Sequence, residues 1–429
     1  MAKSKLWQRL YDTICGVRVV DSHWHTETEQ AYNAHGGHDL FSLWAYFRRE
    51  IMAQTGKDVP EFFAQAKTDR QKWQLLKPVV ARAFNTSYYR HNLVAYQQLF
   101  GLKQPELTDR NWAQVNARIK KLSADPGWYR RVIKTKCRMD MAILNVDPFE
   151  PDWEPDFSRP SVRFEQILYA DRGRIAKLEK LTDRSIRSVA GLTEALEEAL
   201  RLHERRGAVA IKLAHAYGRT LAHERHGKAA VRAAFDKIRR GRKPAPGQNK
   251  AYEDFIVFLL ADLAGQHDLV FQIHTGVQTT WGHVPDSDPL HLCNLLREFP
   301  HTRFDLFHAG YPYSRHMGIL AKHYPNVWAN MCWMYVITMA GSRNTLDEWI
   351  DLIPAYRIIG FGSDVGSPEL VYAHLRMAQL CIADVLEKKV SCDLLSESAA
   401  VTLAKMMLRD NLIELFKLDQ RAGLKNACV

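Results

Sequence analysis

The sequence contains no CxxC pair. Its seven cysteines (Cys15, Cys137, Cys293, Cys332, Cys381, Cys392 and Cys428) are scattered. That excludes zinc-ribbon and thioredoxin-type motifs and suggests free thiols in a reducing compartment. No uninterrupted apolar stretch is long enough to cross a bilayer. The opening MAKSKLWQRLYDTICG has no apolar run followed by a small-residue cleavage site. The expectation is a cytoplasmic protein with no membrane partner. Internal repeats and low-complexity segments are also missing. Acidic residues are outnumbered, 48 against 59 basic, and the resulting charge of +11 suits anionic ligands. The most basic stretch, KIRRGRKPAPGQNK at 237–250, contains Pro and Gly but no interleaved aromatics. It reads as a solvated loop, and nucleic acid is not an expected partner.

What is present is a chain of 429 residues, 46% hydrophobic and 25% charged, able to bury a large core without disulfides. Eight short apolar runs each end in a polar residue: 17–23, 141–147, 163–170, 207–214, 268–276, 303–310, 326–333 and 356–364. Near-continuous apolar runs are the mark of buried parallel strands. Helical patterns lie between most of them, near 190–206, 250–266, 288–298, 315–323, 343–353 and 369–388. Eight β–α units in series predict an α/β fold, a (β/α)₈ TIM barrel forming one domain over 1–429. Residues of about 36–135 interrupt the alternation. Their stretches LFSLWAYFRREIMAQTG and VVARAFNTSYYRHNLVAYQQLFGL predict a helical insertion after the first strand, a lid or a packing subdomain. VDPFEPDWEPDF at 146–157 reads as a loop.

The chemistry concentrates at strand ends. Asp21-Ser22-His23-Trp24-His25 closes the first run. Strand side chains alternate, so His23 and His25 face the same way, and two such imidazoles can bind one divalent transition metal. An HxH alone is weak. His274 ends VFQIH, His308 ends FDLFH and Asp364 ends IIGFGSD. Four histidines and an aspartate at the catalytic ends of strands are hard to explain by packing and predict a shared metal site.

This ordered pattern, HxH after strand one, His after strands five and six and Asp after strand eight, resembles the amidohydrolase superfamily across 17–364. The resemblance implies a distorted barrel with a divalent metal, zinc or manganese, held by His23, His25 and Asp364, with His274 as fourth ligand. His308 is then either a ligand to a second metal or a catalytic group. Lys212, in VAIKLAHAYGR near the end of strand four, resembles the carboxylated lysine that bridges two ions in binuclear members. It can equally be a plain cation, so one or two ions are open, with one preferred. The resemblance implies a metal-activated water, its pKa lowered from about 15.7 to about 7. Asp364 would act as proton carrier and His308 would stabilise charge or donate a proton. Arg219 and Arg315 are candidates to bind an anionic group through their planar donor forks.

GFGSD with Pro368 and Glu369, and HAGYPY at 308–313, resemble the amidohydrolase-related hydrolases, a family that includes non-oxidative decarboxylases. FNTSYYRHNLVAYQQLFGL followed by LTDRNWAQVNARI resembles the insertion of uronate isomerases. At the end of strand eight those enzymes have an Asp-Ser-Arg-like stretch, and Asp364-Val365-Gly366 stands here instead. The leading expectation is therefore a metal-dependent hydrolase acting on a small, anionic substrate. The alternatives are a decarboxylase, a uronate isomerase-like enzyme or a non-catalytic metal-holding scaffold. Homo-oligomerisation is left open.

Overall fold

The computed structural model describes residues 3–151, 153, 156–278 and 282–420. Cys428 and part of the expected loop at 146–157 lie outside them. Eight strands run parallel in the order in which they occur in the chain: β1 (Val19–Trp24), β2 (Met139–Val146), β3 (Ser158–Arg163), β4 (Ala210–Leu213), β5 (Val270–Ile273), β6 (Arg303–Leu306), β7 (Val327–Asn330) and β8 (Ile358–Ile359). Sequential parallel order with intervening helices is the (β/α)₈ barrel class. No helix among the described residues is long and apolar enough to cross a membrane.

The chain divides into two compact units. The first comprises Met1–Asp140, Cys332–Asp347 and Gly360–Arg409. Here β1 is buried along its whole length. Ser22 N–H donates to the Phe361 carbonyl at 3.3 Å, and Asp364 N–H donates to the His23 carbonyl at 2.9 Å. Between β1 and β2 the chain is helical, including Arg48–Thr55, Asp69–Ala83, Ser87–Gln98 and Trp112–Ser123. These helices form because apolar residues recur at helical spacing and caps are in place. Thr68 and Gln71 make a reciprocal capping box, and Thr86 accepts from Tyr89 N–H. Trp73 stacks on Trp112 at 5.7 Å, and Trp44 is fully buried. In the same unit the helix Pro368–Ser391 is buried over most of its surface, polar Glu369, His374 and Gln379 included.

The second unit comprises Met141–Met331, Glu348–Ile359 and Asp410–Val429. Its strands are registered so that Lys212 pairs with Gln272 and Gln272 with Asp305. A polar chain runs through this strand core. Ser161 Oγ donates to Gln272 at 2.6 Å, Gln272 Nε2 to Asp305 at 3.0 Å, and Asn330 Nδ2 to Asp305 at 2.8 Å. Around the strands, Ser188 caps Val189–Arg205, a helix that buries Leu192, Leu196 and Leu200 along one face.

Most strands are shorter than the sequence reading gave them, and two depart from it furthest. The third strand is Ser158–Arg163, and half of the expected 163–170 is a helical turn, Glu165–Leu168. SRPSVR is polar and contains Pro160, which argues against a strand. The structure accommodates it because the Pro160 carbonyl accepts from Val209 N–H at 3.0 Å, so only its absent N–H is lost. The eighth strand stops at Ile359, five residues before Asp364. Asp364 has φ of +54°, which no strand residue adopts.

Candidate active site

In the first unit, β1 delivers His23 from its last turn of pleat and His25 just beyond it. Their rings lie 4.7 Å apart, edge to face. Asp364 faces both: its Oδ1 is 3.0 Å from His25 Nε2 and 3.5 Å from His23 Nε2. The donor atoms of these three residues all lie within 4.8 Å of one another. Two imidazole nitrogens and one carboxylate oxygen are a donor set for a borderline divalent cation such as Zn²⁺.

What holds this trio is a second carboxylate. Asp21 Oδ1 accepts from His23 N–H at 3.0 Å and from Ser363 N–H at 2.9 Å, so one buried side chain ties β1 to the segment carrying Asp364. Burial pushes the Asp21 carboxyl up to about 7. His374 Nδ1 bonds the Ser363 carbonyl at 2.9 Å, and Thr26 donates to the Val365 carbonyl at 3.0 Å. Tyr46, from the helical segment after β1, lies beside Asp364. Burial, then the Asp364 charge, push its phenol well above the usual range, so it remains an O–H donor. Its ring packs on Trp333 at 5.0 Å. Trp333 and Asp364 both have left-handed backbones, at φ +62° and +54°. Such strain in non-glycine residues concentrates at functional sites.

In the second unit, His274 directly follows β5 and His308 lies two residues beyond β6. His274 Nε2 bonds the Val277 carbonyl at 3.2 Å, and that oxygen can only accept. The network therefore puts the proton on Nε2, leaving Nδ1 to accept from His308 Nε2 at 2.8 Å. Burial first, then His308 and Lys212, push His274 well below its ordinary value. His308 is at φ +64°, a further strained residue following its strand. Lys212 Nζ lies 3.6 Å from the centre of the Phe307 ring, an ammonium over an aromatic face.

A hydrogen-bonded series missed in the sequence continues from β4. Asp254 Oδ1 faces His223 Nδ1 at 3.3 Å, and His223 Nε2 faces His215 Nε2 at 3.1 Å. The Asp254 carboxylate accepts from His223 Nδ1–H, so His223 Nε2 accepts from His215 Nε2–H, whose Nδ1 is left with a buried lone pair. Burial, then His223, lower the His215 pKa, and Lys212 is among its charged neighbours. No spacing rule flags His215 and His223, eight residues apart, with Asp254 thirty-one further on.

Of the residues singled out in the sequence, the structure brings His23, His25 and Asp364 together, and His274 with His308. The two arginines are paired with acids. Arg219, with 8% side-chain exposure, bonds Glu253 at 3.0 Å and also Asp254. Burial alone would raise the Asp254 carboxyl, but His223, Lys250 and Arg219 hold it well below the usual range. Arg315 is 84% exposed and pairs with Glu348 at 3.0 Å.

Comparison with known proteins adds the following. The pattern of the Amidohydrolase family matches residues 182–379. Over 97% of its length the chain is 24% identical to a uronate isomerase of Nostoc punctiforme, covering 96% of that protein. It is 28% identical over 147 residues to protein fluG of Emericella nidulans, a match to 33% of this chain that spans only 16% of fluG. The crystal structure of a uronate isomerase from Thermotoga maritima superposes with a TM-score of 0.82 at 16% identity, covering 96% of this chain and 98% of that one.

Proposed function

We infer that this chain, which belongs to the amidohydrolase superfamily and resembles uronate isomerases within it, is a metal-dependent isomerase interconverting the aldose and ketose forms of a sugar acid. The match to a uronate isomerase along nearly the full length of both proteins carries this reading. It reverses the order of the sequence-based expectations, which put hydrolysis first. The His23, His25 and Asp364 donor set fits a divalent cation. The superfamily pattern adds His308 as proton donor and Lys212 as a positive charge; its fourth-ligand role for His274 requires His274 Nδ1 to give up the hydrogen bond it accepts from His308 Nε2. When bound, the metal would polarise a substrate oxygen.

The protein's own groups supply the proton traffic. An aldose–ketose conversion moves one proton from C2 to C1 and one from O2 to O1, so the product has the composition of the substrate. Asp364 is the carboxylate positioned to take the C2 proton and return it to C1. Tyr46, kept protonated beside it, donates a hydrogen bond to a substrate oxygen. Asp21 acts through others by fixing the backbone of His23 and Ser363.

Asp364-Val365-Gly366 stands where the isomerases have an Asp-Ser-Arg-like stretch, so the side chains that follow the aspartate differ from theirs. That difference and the Amidohydrolase match at 182–379 favour, as second reading, hydrolysis or decarboxylation at the same residues. The test is a zinc- or manganese-loaded preparation given glucuronate and galacturonate, then lactones, amides and aryl carboxylates. Ketose formation with solvent-deuterium incorporation at carbon, lost in His23→Ala/His25→Ala, is expected. Hydrolysis or CO₂ release without any uronate interconversion would overturn the isomerase reading.

A further inference from the structure

The basic stretch near 237–250 that the sequence marks as a loop forms one wall of a cavity of about 670 Å³ in the second unit. The chain turns here between the helices Lys228–Arg239 and Pro246–Gln266. The opposite wall is the start of the helix Arg172–Thr182 together with Tyr169. Four cations line the space: Arg172, Arg174, Arg242 and Lys243.

The acids lining it are already engaged. Asp171 caps its own helix, accepting from Arg174 N–H at 2.8 Å. Glu253 is held by Arg219 at 3.0 Å and by Asn249 at 2.5 Å. Arg172, Arg242 and Lys243 are exposed and make no ion pair among the described residues. The cavity therefore has an unbalanced positive charge that its own carboxylates do not neutralise. Its walls are fixed from behind. The Tyr169 hydroxyl donates to the His215 carbonyl at 3.1 Å, and Arg174 donates to the Tyr169 carbonyl. The helix Pro246–Gln266 opens on the cavity with Ala245 at its N-cap. Alanine offers no side-chain acceptor, so the first-turn N–H groups add to the positive field. Tyr169, Pro244 and buried Ile238 supply apolar surface beside the cations.

We propose that this cavity binds a small phosphorylated organic molecule, its phosphate held by Arg172, Arg242 and Lys243 and its organic part against Tyr169 and Pro244. Arginine forks match phosphate oxygens in pairs. The volume lies in the range of small-ligand pockets and is too small for a folded partner. The site involves neither His23, His25 nor Asp364, so it stands or falls independently of the reaction proposed above.

Calorimetric titration of the full chain decides it, with adenosine diphosphate, ribose 5-phosphate, inorganic phosphate and a ten-nucleotide single-stranded RNA as probes. Saturable one-site binding of at least one organic phosphate is expected, tighter than that of inorganic phosphate and weakened by added salt. Arg242→Ala/Lys243→Ala, which alters only exposed side chains, should weaken it at least ten-fold, and so should Arg172→Glu. Circular dichroism verifies that both variants fold. The proposal is overturned by no saturation with either organic phosphate up to about 5 mM, by variants that bind as tightly as the parent chain, by inorganic phosphate binding as tightly as both esters, or by RNA binding more tightly than either.

Discussion

Asp364 combines three observations at one residue: a carboxylate oxygen 3.0 Å from His25, a backbone N–H bonded to the His23 carbonyl, and a left-handed backbone. Replacing it with asparagine keeps the shape and an oxygen donor but removes a group able to take a proton at neutral pH. Asp364→Asn should retain most bound metal, by atomic absorption, while turnover falls about 10³-fold or more. Near-normal turnover would move the proton-transfer role to another residue. Asp305 gives a prediction about pH. It is fully buried between Gln272 and Asn330, and burial pushes its carboxyl up to about 6 from 3.8. Between those values the folded chain holds a proton that the unfolded chain has lost. Its contribution to stability is therefore full below about pH 4 and is lost as pH rises through about 6. Asp305→Asn removes that dependence. The variant's unfolding free energy relative to the parent should rise by about 1–3 kcal/mol between pH 4 and pH 7, and a flat difference would refute the shift. Neither effect is readable from a single residue letter. His23 and His25 could be found by their alternation, but Asp21 and Tyr46 could not, because their roles depend on Ser363, Gly366 and Asp364, hundreds of residues away.

The segment from Gly360 to Asp364 shows how an element is shaped by what it touches. A Cβ placed on Gly362 would lie 2.3 Å from Ser22 Oγ and 2.9 Å from Cys332. Glycine is thus required by close approach to β1. Gly362→Ala should cost about 1–3 kcal/mol in chemical denaturation and weaken metal binding, since the displaced segment carries Asp364. Adding Ser22→Ala removes the nearest clash and should restore part of both; no recovery would mean that the strain lies elsewhere. Among the strands, β5 and β6 were legible because apolar residues flank the buried Gln272 in VFQI and the buried Asp305 in FDLF. The β3 strand was not, since Ser, Arg and Pro dominate it and its place depends on backbone pairing with β2 and β4. The 237–250 stretch illustrates the same limit. Its charge was plain in the sequence, while the cavity it borders depends on Tyr169 and Arg172, about seventy residues earlier.

For the molecule as a whole, a metal ligated by the folded chain and not by the unfolded one adds its binding free energy to stability. Chelation of the loaded protein should lower its melting temperature by about 5 °C or more. His23→Ala/His25→Ala should melt near the chelated value and be unaffected by chelator. Equal melting of loaded, chelated and variant protein would remove metal from the account. The surplus of basic residues acts at this scale too. Part of it is consumed in ion pairs such as Arg219 with Glu253 and Asp254. The part left over at Arg172, Arg242 and Lys243 gives an anion a place to bind.

The sequence by itself determined the eight-fold β–α alternation, the helical character of the chain between β1 and β2, and the residue types able to hold a metal. Local pattern and side-chain chemistry suffice for those. Only the tertiary structure decided how Asp364 is set against His23 and His25, that Asp21 organises them, that Arg219 is committed to Asp254, and that a polar strand can serve as β3. Each of those outcomes depends on a partner distant in the chain. Local periodicity contains no information about that partner, because the contact exists only after the backbone has been closed by long-range strand pairing.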